Sequence, residues 1–160
     1  MFSSIILDGM NITLVTVGKL KEKFWQEAAG EYIKRLGRFC KLNVIELAES
    51  KSDDSAEESQ EILAAIEKLG QCYVIALDVG GKSLSSEDLA EKISSIGVGG
   101  TSHICFVIGG SNGFDDLVRK RADYRLSFSA FTFPHQLMRV ILLEQIYRAF
   151  KINAGEKYHK

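Results

Sequence analysis

The chain has 160 residues, 46% hydrophobic and 26% charged, with a single proline. That suffices for one domain with a sizeable core, is too short for two ordinary domains, and argues against disorder. The formal net charge of −1 excludes bulk positive charge as a means of binding nucleic acid.

The elements alternate along the chain. Residues 12–17 read as a β-branched strand closed by Gly18, and residues 24–39 as a helix with Phe24, Ala28, Tyr32 and Leu36 on one face. Residues 42–47 read as a second strand. The acidic, Ser-rich stretch 49–59 reads as a solvated loop, leading into a helix with Ile62, Ala65, Ile66 and Leu69 inward and Gly70 at its end. Residues 73–77 form a continuous apolar strand ending at Asp78 and a Gly80-Gly81 turn, a pattern that suits a parallel strand buried on both faces. A helix capped by Ser85 or Ser86 runs to about Ile96, with Glu87 and Asp88 in its first turn. A strand over 103–108, a Gly-rich turn over 109–113, a short helix over 115–121 and a short strand over 124–128 follow. Pro134 opens a long final helix to Phe150. The βα alternation predicts an α/β sandwich with a mostly parallel sheet flanked by helices. The whole chain, 1–160, is expected to be one domain, with no internal repeat and no linker.

The net charge conceals a segregation. Residues 10–45 carry seven Lys/Arg against three acids, residues 46–91 twelve acids against three Lys, and residues 119–160 nine Lys/Arg against three acids. On pattern alone these are ordinary solvated faces or a basic surface with an anionic partner. Cys40, Cys72 and Cys105 are odd in number and form no CxxC, so buried thiols are expected rather than disulfides or a metal site. No apolar run approaches the roughly 18 residues of a membrane span, and residues 1–9 lack the basic start of a secretion signal. A cytoplasmic protein is expected, with no membrane and no metal.

Four features can carry chemistry. In parallel α/β sheets ligands sit beyond the carboxyl ends of the strands, so the Gly109-Gly110 turn is either a ligand site or a tight connection; it matches neither the dinucleotide nor the phosphate-loop pattern. The stretch Ser127 to Gln136 alternates small polar residues with Phe before a helix start, which suits a polar ligand with an aromatic part, or simply an amphipathic strand and cap. More than half of residues 136–151 are apolar, wider than a surface stripe. That helix either meets a second copy or lies central within one chain, and Arg139, Glu144 and Arg148 either pair with one another or point at an anion. The tail, Tyr158-His159-Lys160, is either frayed or offers stacking, proton exchange and phosphate contact.

These stretches resemble a known family. Val107-Ile108-Gly109-Gly110, the run from Thr132-Phe133-Pro134-His135 through Arg139-Val140, Leu143-Glu144-Gln145-Ile146-Tyr147-Arg148-Ala149-Phe150 and Tyr158-His159-Lys160 are similar to the ribosomal large-subunit methyltransferase H family. These are small SPOUT-class enzymes that methylate N3 of a pseudouridine in 23S rRNA. Val15-Thr16-Val17-Gly18-Lys19 and Ala76-Leu77-Asp78 also match, so the likeness spans nearly the whole chain from about Asn11. The resemblance implies a SPOUT-type fold with a C-terminal trefoil knot, which ordinary topology rules would not predict. It implies a homodimer acting on assembled ribosomes with S-adenosyl-L-methionine as cofactor. The cofactor would be held by Leu77, Gly109, Gly110, Ser129, Ala130, Phe131, Thr132, Phe133 and Pro134. Tyr158, His159 and Lys160 would serve the partner's active site, while Arg139 and His135 match motif positions. His159 has the intrinsic pKa range of a proton acceptor, and solvent can also serve. Family members begin at the first strand, so Met10 is expected to be the natural start and residues 1–9 an upstream extension. The alternatives are a SPOUT enzyme with another RNA target and a non-catalytic α/β nucleotide-binding module.

Overall fold

The computed structural model describes residues 9–52 and 54–158. Of the expected upstream extension only Gly9 is described, and His159 and Lys160 lie outside the described residues. Strands β1 (Asn11–Val17), β2 (Lys41–Leu47), β3 (Tyr73–Ser83), β4 (His103–Ile108) and β5 (Tyr124–Ser127) alternate with helices α1 (Lys23–Leu36), α2 (Ser55–Lys68), α3 (Ser86–Val98), α4 (Asp116–Arg121) and α5 (His135–Asn153). The five strands form one sheet in the order β2-β1-β4-β3-β5, and every pairing is parallel. All the carboxyl ends therefore lie on one edge.

Three layers follow from the period-two alternation of the strands. Ile12, Leu14, Ile75, Ile104 and Phe106 face one side, where α1, α3 and α5 bury Leu36, Leu89, Ile93, Leu142, Ile146 and Phe150 against them. Val15, Val17, Val74, Cys105 and Val107 face the other, covered by Ile62 and Ile66 of α2 and Val118 of α4. Each large side chain removed from water here contributes about 1.5–3 kcal/mol. Strands β1 and β4 are buried along almost their whole length, as their continuous apolar runs predict. The helices start where short polar side chains can cap them: Asp54 accepts from the amide of Ala56, Ser85 from that of Asp88, and Asp115 from that of Leu117.

One local expectation changes. The Gly80-Gly81 pair is not a turn ending β3. The strand continues to Ser83, and its pairing with β5 jumps from Leu77↔Leu126 to Lys82↔Leu126, so residues 78–81 bulge out. Gly81 is needed because a Cβ there would lie 2.4 Å from the carbonyl oxygen of Arg125. Helix α5 packs against α1 and α3 and none of its residues is exposed, although Leu137, Val140 and Ile141 are only partly covered within one chain. The three cysteines are free thiols, and burial pushes Cys40 and Cys105 up to about 12. Among the described residues no helix is long and apolar enough to cross a membrane, and no three His, Cys, Asp or Glu side chains converge on a metal position.

The bulge makes a direct prediction. Gly81→Ala is expected to lose about 1–3 kcal/mol of stability in denaturant melts, because the collision is with backbone that cannot swing aside; an unchanged midpoint would contradict the close approach.

Candidate active site

At the carboxyl edge, the ends of β3 and β4, the bulge of β3 and the start of α5 surround a cleft of about 630 Å³. Leu77, Asp78 and Val79 form one wall, Ile108 to Ser111 with Gly113 and Phe114 the floor, and Thr132, Phe133, Pro134, His135 and Met138 the opposite wall. A smaller cavity of about 70 Å³, lined by Ser129 and Phe131 among others, adjoins it beneath Phe133 and Met138. The larger volume falls within the roughly 300–1,000 Å³ of small-molecule sites, and the lining is largely apolar with few polar groups, as such sites require.

The floor is a turn that only small residues can make. Gly113 donates to the carbonyl of Gly110 at 2.9 Å and itself has φ +70°. A Cβ on Gly109 would sit 2.9 Å from the carbonyl carbon of Gly113, and one on Gly110 would sit 3.1 Å from Val17 Cγ1 and from Glu58 Oε1. The turn is therefore clamped from behind by β1 and α2. Ser59 tightens this clamp by accepting from the amide of Asp115 at 2.9 Å. Glu58 is 4% exposed; its Oε2 accepts from the amide of Ser50, and its Oε1 has no hydrogen-bond partner among the described residues.

The loop before α5 is shaped by its own serines. Ser127 Oγ donates to the carbonyl of Ser129, and Ser129 Oγ accepts from the amide of Phe131. Phe131 is left 75% exposed at the rim. No side chain caps α5, so the positive end of its dipole faces the cleft.

The expected cofactor residues are mostly brought together. Leu77, Gly109, Gly110, Thr132, Phe133 and Pro134 line the cleft, and Ser129 and Phe131 line the adjoining cavity. Ala130 lines neither and is exposed. His135 lines the cleft with its Nε2 3.9 Å from Glu49 Oε1.

Arg139 does not point into the cleft. It is 5% exposed, and donates to Glu46 Oε2 at 2.6 Å, Thr16 Oγ1 at 2.9 Å and the Gly18 carbonyl at 3.0 Å. It ties the start of α5 to the ends of β1 and β2. Glu144 and Arg148 pair with each other, at 2.5 Å. Tyr158 lies away from the cleft. Its ring meets Tyr147 edge-on at 5.2 Å, with the Arg148 guanidinium 4.4 Å from its centroid. Tyr147 is twelve residues beyond His135, or roughly 18 Å along the helix axis. Burial, reinforced by the Glu144 carboxylate, pushes the Tyr158 phenol up from its ordinary value.

Sequence reasoning missed Asp78 and Arg119 as site residues. Asp78 Oδ2 accepts from Arg119 Nε at 3.1 Å and lies 3.4 Å from Arg125 Nη1, while its Oδ1 accepts from the amide of Gly80. This carboxylate holds the bulge, α4 and β5 together at the cleft mouth. A charged residue ending a buried strand was the available signal.

Known proteins show the family. A family model described as "Predicted SPOUT methyltransferase" matches residues 10–159. The chain is 56% identical to a "Ribosomal RNA large subunit methyltransferase H" of Bifidobacterium adolescentis, and 57% identical to the protein of that name from Clostridium novyi. Each match covers 94% of this chain and 100% of the relative. Among solved structures, a "probable methylase family protein" from Haemophilus influenzae shares the fold with a TM-score of 0.56 at 15% identity, covering 95% of this chain and 70% of that one. The sequence resemblance and the parallel α/β architecture thus agree, and the chain belongs to the SPOUT methyltransferase family.

Proposed function

We propose that the protein is an S-adenosyl-L-methionine-dependent methyltransferase of large-subunit ribosomal RNA, acting on N3 of a pseudouridine in 23S rRNA within assembled ribosomes. The observation that carries this is identity above one half, over the full length of relatives named as large-subunit rRNA methyltransferases, together with a cleft at the sheet's carboxyl edge. The cleft fits the cofactor on its own chemistry. Its volume accepts a nucleoside with an amino-acid arm, its apolar walls suit an adenine ring, and its floor is a Cβ-free turn that lets a ligand lie against backbone.

S-adenosyl-L-methionine, when bound, supplies an electrophilic methyl group on a sulfonium. The chain's own residues do the rest by positioning, which contributes at best about 7–11 kcal/mol to such a barrier. Leu77, Gly109, Gly110 and the stretch from Ser129 to Pro134 would hold the cofactor. The walls are largely apolar, and among the described residues the one Lys or Arg lining the cleft, Arg119, is paired with Asp78. Arg139 acts as a positioning residue, since it sets where the start of α5 meets the cleft. The N3 proton must leave as the N–C bond forms. Where Tyr158 packs in this chain, burial and the Glu144 carboxylate push its phenol up, which favours the part of a hydrogen-bond donor over that of a base.

A homodimer follows from the same reading. Tyr158 sits some three turns of α5 away from its own cleft, which supports a tail that serves a second copy's site. The family match starting at residue 10 supports Met10 as the natural start, with residues 1–9 an extension to a single domain. The knotted C-terminal path and a cytoplasmic location belong to this proposal as well.

Incubation of ribosomes that lack the modification with labelled cofactor tests the function. The expected result is one methyl per 23S rRNA, recovered on nucleoside digestion as N3-methylpseudouridine. Label recovered only from tRNA would replace the substrate. Gly109→Ala should weaken cofactor binding at least tenfold in calorimetry, because the new methyl displaces the floor at Gly113. Deleting residues 158–160 should abolish methylation and leave cofactor affinity within about twofold; loss of cofactor binding would make the tail structural. A chain begun at Met10 should match the full chain in both assays.

A further inference from the structure

We propose that the segment from Lys19 to Phe24, where the chain leaves β1, is a docking surface for the substrate RNA. It would contact phosphates through Lys19, Lys21 and Lys23 and stack an unpaired base on Phe24. This rests on the rRNA methyltransferase reading and adds to it the face that the RNA meets.

Placement comes first. Strand β1 pairs β4 with Thr16 opposite Ile108, and Val17 backs directly onto Gly110. The segment therefore emerges at the carboxyl edge, beside the floor of the cleft. Gly18, at φ +93°, turns the chain there. Its amide donates to the Leu47 carbonyl at 2.7 Å and its own carbonyl accepts from Arg139.

The segment is also held in shape. Leu20 is 9% exposed and anchors it to the core, and Gln26 Nε2 donates to the Leu20 carbonyl at 2.6 Å. With Leu20 inward, Lys19 and Lys21 on either side are exposed, as are Lys23 and Phe24. Lys19 and Lys21 have no ion-pair partner among the described residues. Lys23 lies 3.7 Å from Glu27 in a pair whose side chains are 87% and 66% exposed, which water and salt screen almost completely. Glu22 is the one acid within the segment.

Phe24 supplies the second element. It is 60% exposed although it begins a helix, and Trp25 braces its ring at 4.9 Å with an interplanar angle of 55°. A fixed, solvated aromatic ring among three lysines is the arrangement that binds single-stranded nucleic acid: cations track the backbone while a ring accepts a base face without reading its identity. Charge complementarity selects RNA over a second copy of this chain, because a dimer axis here would bring the same lysines together. The segment also explains how a chain of net charge −1 holds a polyanion, since the basic excess of residues 10–45 is partly gathered at the working edge.

The test uses the full chain and intact, unmodified ribosomes. The triple variant Lys19→Gln, Lys21→Gln, Lys23→Gln should raise KM for ribosomes about tenfold or more near physiological salt. It should leave kcat at saturating ribosomes and cofactor affinity unchanged. The slope of log(kcat/KM) against log salt should become shallower by about two to three, as expected for three lost phosphate contacts. Phe24→Ala should raise KM several-fold without changing that slope. Unchanged KM and slope in both variants would overturn the proposal. So would a loss of self-association on sedimentation, which would make the face an interface between copies. If the unaltered chain methylates no ribosomal RNA, the parent reading fails first, and this one with it.

Discussion

A buried guanidinium holds the working edge of this protein together. Arg139 sits one turn into α5 and reaches three partners, Glu46 at the end of β2 and Thr16 and Gly18 at the end of β1. Burying a charge is costly unless it is paired and hydrogen-bonded, so this helix start has one favourable position against the sheet. From there α5 brings Pro134, His135 and Met138 over the Gly109–Gly113 turn, and the cleft exists because those two surfaces are held apart at a fixed spacing. The same side chain grips the Gly18 carbonyl and so orients the lysine-rich segment that leaves β1. The cleft wall and the lysine-rich segment are thus both tied to one buried residue.

The opposite mouth of the cleft uses a carboxylate in the complementary way. Asp78 gathers Arg119 and Arg125 and closes the turn at Gly80, joining the β3 bulge to α4 and β5. Between these two polar ties the walls are apolar and the floor is bare backbone. Such a site suits an uncharged ring and a methyl donor, with Asp78, Ser111, Thr132 and His135 as its few polar side chains besides Arg119. That composition suits a transfer achieved by alignment and exclusion of water. The lysines of the β1 exit, Lys19, Lys21 and Lys23, are exposed outside the cleft.

Much of this was legible in the sequence because it is local. Short β-branched runs between amphipathic segments give the strand and helix order, and continuous apolar stretches ending in Gly or Asp mark the carboxyl ends where a ligand would sit. The motif from Thr132 to His135, singled out through its resemblance to a family, lines one wall of the cleft. What could not be read depends on distant residues. Arg139 and its partners are more than ninety residues apart, as shown by its contacts with Glu46 and Thr16, so a buried tie looked the same as an anion-binding arginine. Gly81 resembled a turn residue because the backbone of Arg125 that presses on it belongs to another strand. The apolar breadth of α5 could not distinguish a partner chain from α1 and α3 on its flanks. Ala130, carried over with its neighbours, is exposed and lines neither cavity.

The central claim is that the cofactor occupies the cleft between the glycine turn and the start of α5. Amide hydrogen exchange of the full chain, with and without saturating S-adenosyl-L-methionine, tests it most directly. The account predicts slowed exchange in residues 77–82, 108–114 and 128–138, with the amino ends of the strands unchanged. Protection confined to the far end of α5, or none in the 108–114 turn, would contradict it.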